Sequence, residues 1–97
     1  MSLVTIHKPV EVSIADLKPC KYNPRIMSKT EEAGLRSSLE RFGLVETIVV
    51  NKRNMSITGG NQRLRILKSM GVEKVPVIYV DLNDIQEKFL NLALNNR

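Results

Sequence analysis

Within the stretch SITGGNQRLRILKSMG, residues 56–71, two glycines at 59 and 60 run into Asn61, Gln62 and Arg63 at the head of a helical pattern. Adjacent glycines let the chain turn tightly and let a ligand approach the backbone without meeting a Cβ. A helix that starts at such a turn aims unpaired N–H groups and the positive end of its dipole at one point. That is anion-binding chemistry, and phosphate is its usual ligand. A Gly-Gly pair alone marks only a turn, so the arginine matters more. On an ideal wheel, Leu64, Ile66, Leu67 and Met70 point together, and the centre of that stripe lies roughly 10° from Arg63. Arg65 and Lys68 fall on the opposite, wet side. A guanidinium on a buried face needs a counter-anion, because leaving it unpaired costs on the order of several kcal/mol. Two partners are open: an internal carboxylate, Glu40 or Glu46, or the anion received by the glycine turn. Phosphate fits the planar fork of arginine.

The chain that must position these residues has 97 of them, enough for one domain with a single modest core. Its apolar share of 42% and charged share of 26% are those of a globular protein. The longest apolar run is VPVIYV, too short to span a bilayer, and no signal peptide opens the chain, so a cytoplasmic protein is expected. One cysteine, Cys20, and one histidine, His7, argue against an internal disulfide and against a zinc site.

The net charge of +5 is unevenly placed. Lys18, Lys21, Arg25 and Lys29 fall between Leu17 and Thr30 with no acid among them. From Arg41 to Val72, Glu46 is the one acid among Lys52, Arg53, Arg63, Arg65 and Lys68. Such an imbalance points to an anionic partner, a nucleotide or a nucleic acid, with a merely solvated basic surface as the equal alternative. Lys18, Lys21, Lys52, Arg53 and Lys68 are the candidates for weak DNA contacts.

VEVSI reads as a strand, and ADLKP as a turn closed by Pro19. KYNPR is loop, since the residue before a proline is pushed out of the helical region. SKTEEAGLRSSLERFG is a helix opened by a capping box of Ser28 and Glu31, with Leu35, Leu39 and Phe42 as its apolar stripe. TIVVN and MSIT are strands joined by a turn at Lys52, Arg53 and Asn54. The second helix runs from Asn61 to Met70 and stops at Gly71. KVPVIYV is a strand whose Pro76 places it toward an edge or its own N-terminal end. LNDIQEKFLNLALNNR is a third helix, with Asn83 or Asp84 as cap and Ile85, Phe89 and Leu92 on its apolar face. The sum is an α+β domain, three helices on a small mixed sheet. The last helix is still in phase at Leu94 without a stop signal, so residues 1–97 are expected to be one domain, the first part of a longer protein.

The segments SIADLKPCKYNPR, LRSSLERFGLVETIVVN and ITGGNQRLRILKSMGVEKVPVIYV, in that order and at fitting distances, closely resemble the ParB/sulfiredoxin superfamily. The likeness runs from Val12 onward and is strongest to the N-terminal domains of ParB-like partition and phage proteins, often called ParB-like nuclease domains. The family motif G-E-R-R-x-R falls on Gly60, Asn61, Gln62, Arg63, Leu64 and Arg65. There the family holds the triphosphate of a nucleotide, commonly CTP. The resemblance thus implies a CTP or ATP site, with Mg2+ as its companion ion, made by Gly59, Gly60, Asn61, Gln62, Arg63 and Arg65. Arg25, Glu46 and Asn95 join it from the other matching segments. DNA and a second copy of the chain are the implied partners, in a protein of a plasmid, phage or chromosomal locus.

The departures limit the chemistry. Sulfiredoxins carry a catalytic cysteine where this chain has Asn61, and Cys20 does not replace that nucleophile. The related free-serine kinases carry Asp-Gly-His-His-Arg, where Gly59 stands for the aspartate and Gln62 for a histidine. ALNNR aligns with the family's Glu-Asn-x-Gln-Arg, so Leu94 takes the place of the glutamate tied to metal and hydrolysis while Asn95 is kept. Glu46 replaces the glutamine of Gly-x-x-Gln-Pro, and a carboxylate there can accept from the amino group of cytosine or adenine. Hydrolysis of nucleotide or DNA is not expected. The alternatives carried are a metal-dependent nuclease and an interaction domain without nucleotide. The one close acidic pair, Asp81 and Asp84, reads as cap and dipole complement more than as a metal pair. Nothing here predicts a helix that reads base edges.

Overall fold

The computed structural model describes residues 3–22 and 26–95. Strand β1 (Val10–Ser13) leads into a single 3-10 turn over Ile14–Asp16, which buries Ile14. Helix α1 (Lys29–Phe42) begins with the expected capping box: Glu31 N donates to Ser28 Oγ at 3.1 Å, and Ser28 N donates back to Glu31 Oε1 at 3.2 Å. Strands β2 (Ile48–Asn51) and β3 (Ser56–Gly59) form an antiparallel hairpin, followed by α2 (Asn61–Ser69), β4 (Lys74–Val80) and α3 (Asp84–Asn95).

The sheet order is β1-β4-β2-β3. Strand β4 runs parallel to β2 and antiparallel to β1, so the sheet is mixed, as the sequence predicts. Contrary to the edge reading of Pro76, β4 is an inner strand. The proline is tolerated because pairing with β2 begins only at Val77, which puts it at the N-terminal end of that ladder. The outer edge of β3 is partly covered as well: Lys18 bridges Ser56, with Lys18 N on Met55 O and Ile57 N on Lys18 O, both at 2.9 Å. Buried Asn51 extends the pairing past β2, donating from Nδ2 to Leu82 O at 3.0 Å and accepting from Leu82 N at 3.1 Å.

The core is aliphatic: Ile48, Val50 and Ile57 from the hairpin, Val75 and Val77 from β4, and Leu39, Leu64, Ile66 and Leu67 from the helices. Helix α2 delivers the stripe that its wheel predicts. The α1 stripe goes inward through Leu39 and half-buried Leu35 but not at its last member, and the α3 stripe does not go inward. Phe42, at the end of α1, is 65% exposed, with the Arg41 guanidinium 5.3 Å from its ring centre. On α3 the expected face is reversed: Ile85 is 82% exposed and Phe89 75%, whereas Glu87 and Asn91 are buried. Helix α3 lies against β3, and the surface it meets there is polar, so its polar stripe is the one that docks.

The reversal makes an unusual pair of outcomes. Ile66→Ala should cost about 3 kcal/mol, the range for emptying a tight core site. Phe89→Ala, although it removes the larger side chain, should stay within about 0.5 kcal/mol. Urea unfolding of the two variants checks this.

Candidate functional site

Strand β3 ends at Gly59, and Gly60 caps α2 in the left-handed region, at φ 89° and ψ 19°, with no side chain bonded to the helix end. A Cβ on Gly60 would stand 3.1 Å from Ile48 Cγ1 and 3.2 Å from Arg63 Nη2. Both the backbone sign and the space therefore call for glycine, where a serine or aspartate cap could not sit. At Gly59 the constraint comes from α3: a Cβ would lie 2.9 Å from Leu94 Cδ1. The turn is thus closed on one side by the last turn of α3. Its first helical residues, Asn61, Gln62 and Arg63, occupy the positions whose N–H groups have no acceptor within a helix.

Arg63 lies along the inner side of α2 as its wheel position predicts, with its side chain 23% exposed. Of the two partners left open, the structure shows the internal one. Nη1 pairs with Glu46 Oε2 at 2.7 Å, and Nη2 donates to Thr47 O at 3.2 Å. Nε is buried with no partner among the described residues. The fork is anchored at the β2 end of the turn and still holds one unspent donor. Beside it, Leu44, Val45, Glu46 and Thr47 line an apolar groove of about 160 Å3 together with Pro76 and Val77.

Cys20, which the sequence gives no catalytic role, also reaches this turn. Cys20 N lies 3.4 Å from Asn61 Oδ1, and Cys20 Sγ accepts from Asn91 Nδ2 at 3.0 Å. Asn91 Nδ2 also donates to Thr58 O at 3.1 Å, so α3 is tied both to β3 and to the segment before Tyr22. One turn earlier, buried Glu87 accepts from Asn54 Nδ2 at 3.0 Å and faces Lys21 Nζ at 3.8 Å. The Lys21 ammonium is held above its ordinary value. Partial desolvation pulls it down, but the Tyr22 side chain and the Asp84 and Glu87 carboxylates outweigh that. The signal was available: Glu87, Asn91 and Leu94 recur at helical spacing, but the polarity of Glu87 and Asn91 hid the packing face.

The remaining candidates separate. Gly59, Gly60, Asn61, Gln62, Arg63 and Glu46 come together at one end of β2 and β3. Arg65 is exposed and faces Glu32 of α1 at 3.8 Å, away from the turn. Arg25 and the side chain of Asn95 lie outside the described residues. Of the proposed DNA contacts, Lys52 and Arg53 sit in the β2–β3 turn at the opposite end of the sheet. Arg53 Nε pairs with Asp81 at 2.6 Å, and Lys52 Nζ lies 5.7 Å from the Tyr79 ring centre. Lys21 is shared between Asp84 and Glu87, while Lys18 and Lys68 are exposed. Asp81 and Asp84 each face a cation. Among the described residues no helix is long and apolar enough to cross a membrane, and no group of three His, Cys, Asp or Glu gathers around a common point.

A glycine turn between strand and helix, with an arginine in the first turn of that helix, sits on an α+β domain built around a four-stranded mixed sheet. The chain belongs to the ParB N-terminal domain family, whose model matches residues 3–96. It is 34% identical to stage 0 sporulation protein J of Bacillus subtilis, over 88% of this chain and 31% of that protein. It is 32% identical to the nucleoid occlusion protein of Bacillus cereus, over 88% of this chain and again 31% of the relative. The chain therefore spans about a third of the length of these curated relatives. Among solved structures, the C-terminally truncated chromosome-partitioning protein ParB of Caulobacter crescentus, complexed with CTP-gamma-S, superposes with a TM-score of 0.76 at 21% identity. That match covers 93% of this chain and 54% of the other. A Pnob8-like ParB-N domain gives 0.70 at 25% identity, over 95% of this chain and 39% of the other. These likenesses establish the fold.

The two glycines in helical surroundings separate need from convenience. Gly60→Ala should lose about 1–3 kcal/mol, from the left-handed backbone and the contact with Ile48. Gly34→Ala, in the middle of α1 with open space around it, should gain about 0.5–1 kcal/mol. Equilibrium denaturation of both variants gives the comparison.

Proposed function

We propose that this chain is a nucleotide-binding module, taking CTP or ATP, within a DNA-associated protein of a chromosomal, plasmid or phage locus. The observation that carries the reading is the uncapped left-handed turn at Gly60, with the Arg63 guanidinium lying against it and its Nε unspent. The first-turn amides and the fork are donors only, so they suit an anion with several oxygens. Asn61 and Gln62 add side-chain donors at the same helix start. The groove beside Glu46 suits the flat face of a base, and the complex of the Caulobacter protein with CTP-gamma-S supports a cytidine nucleotide as first candidate. Mg2+ accompanying the triphosphate would be held mainly by phosphate oxygens and water.

Binding without turnover is the expected behaviour. Leu94 presents an aliphatic group to Gly59 where the resembling family has a glutamate, and the Asp81 and Asp84 carboxylates are engaged with Arg53 and Lys21. A second reading, an interaction domain of the same fold, is favoured by the exposed Ile85–Phe89–Leu92 face of α3. Isothermal titration with CTP, ATP, GTP and UTP, each with and without magnesium, separates the two. Arg63→Ala should weaken triphosphate binding by about 1.5–3 kcal/mol, the range for hydrogen bonds to a charged group. Arg65→Ala should cost less. Equal affinity of the wild type and Arg63→Ala, at an unchanged melting temperature, would remove the site assignment.

DNA binding by this chain should be weak and indifferent to sequence, near 10⁻⁴ M in the non-specific range. Lys21 and Arg53 are already paired with carboxylates, so few phosphates are left to neutralise and the salt slope should be shallow. Fluorescence anisotropy on two unrelated duplexes, across a salt series, measures both. A preference for one duplex would contradict the assignment.

A further inference from the structure

We propose that Glu46 is an internal counter-anion that holds Arg63 in the free protein and has to be displaced by an incoming triphosphate, so that it sets the affinity of the site. This rests on the anion-site reading above. The carboxylate occupies the fork directly: Glu46 Oε2 lies 2.7 Å from Arg63 Nη1, within the charge-assisted range. The fork in turn lies against the glycine turn, its Nη2 only 3.2 Å from where a Cβ of Gly60 would be. A phosphate received by the first-turn amides would therefore arrive beside the Glu46 carboxylate. Two anionic groups held this close to one guanidinium repel each other, even though the fork has further N–H donors.

Which partner yields is decided by exposure and by the element that carries each. Arg63 belongs to α2, is 23% exposed and is fixed a second time by Thr47 O. Glu46 is 49% exposed and sits in the irregular segment between α1 and β2, between exposed Val45 and exposed Thr47. The arginine stays and the carboxylate leaves. A site that must first be vacated shows an apparent affinity reduced by the fraction of time it is free. Glutamate in place of the neutral glutamine of the resembling family would thus make this a deliberately weak site, filled only at high nucleotide concentration.

Inorganic triphosphate is the probe, because it has no base for Glu46 to touch. By isothermal titration at low salt, Glu46→Gln and Glu46→Ala should bind it about three- to fivefold more tightly than the wild type, the upper part of the range for losing a partly exposed ion pair. In an Arg63→Ala background the same Glu46→Ala change should give less than about a twofold gain, because the fork it competes for is gone. Unchanged or weaker binding by both Glu46 variants overturns the proposal while leaving the anion site standing. An equal gain with and without Arg63 also overturns it, since Glu46 would then act by charge at a distance. If no variant and no wild-type protein binds triphosphate or CTP, the anion site itself is wrong and the counter-anion falls with it. Thermal melts of each variant keep a folding defect from passing as an affinity change.

Discussion

The left-handed backbone at Gly60 is the constraint on which the rest of the site depends. It turns the chain from β3 into α2 within one residue and brings the helix start against Ile48 at the head of β2. Any side chain at that position would be strained by the backbone sign and would press on Ile48 and the arginine fork. A residue with good capping chemistry is therefore disfavoured, and Gly60 brings no side chain to the first amides of the helix. The same turn fixes the rotation of α2. Leu64, Ile66 and Leu67 go into the core, and Arg63, on the same side, is carried to the mouth of the hairpin. There its guanidinium reaches Glu46 and Thr47 instead of being buried among aliphatic groups. The cost of an arginine on the inner face is met by its position in the first turn, at the rim and not in the middle of the core.

That much was legible in the sequence, because it follows from local rules with few competitors. The capping box of α1 needs only Ser28 and Glu31 at the right spacing, and both bonds are present. The wheel of α2 puts Arg63 inward without any knowledge of the sheet. The inner position of β4 was not legible. Pro76 reads as an edge signal until it is known that the partner strand starts one residue later, and that is a fact about register between distant segments. Arg63's internal partner was one of two carboxylates that the sequence allowed, and spacing alone could not choose between them.

The orientation of α3 shows where periodicity misleads. Its apolar residues repeat at helical spacing, as do Glu87, Asn91 and Leu94, and the usual assumption selects the apolar set for the core. The assumption fails because the opposing surface is polar. Asn54, Lys21, Cys20 and the carbonyl of Thr58 each offer a bond to Glu87 or Asn91, and together they make burial of the polar stripe affordable. A buried carboxylate with one hydrogen bond and a nearby ammonium is held by geometry from three segments, and none is close in sequence. No single-segment pattern reports such a match.

This docking has a consequence for the glycine turn. With Glu87 and Asn91 seated, the next residue on the same stripe is Leu94, and its methyl group fills the space where a Cβ of Gly59 would be. Position 94 therefore faces the end of β3 whatever residue occupies it. An acid there would bring negative charge beside the amides at the start of α2 and would offer a ligand for a cation. Leucine instead gives the turn an aliphatic wall, which shields it from water and strengthens any charge-assisted bond made within it. The inner stripe of α3 thus does two things through one register: Glu87 and Asn91 anchor the helix, and Leu94 closes the turn at Gly59.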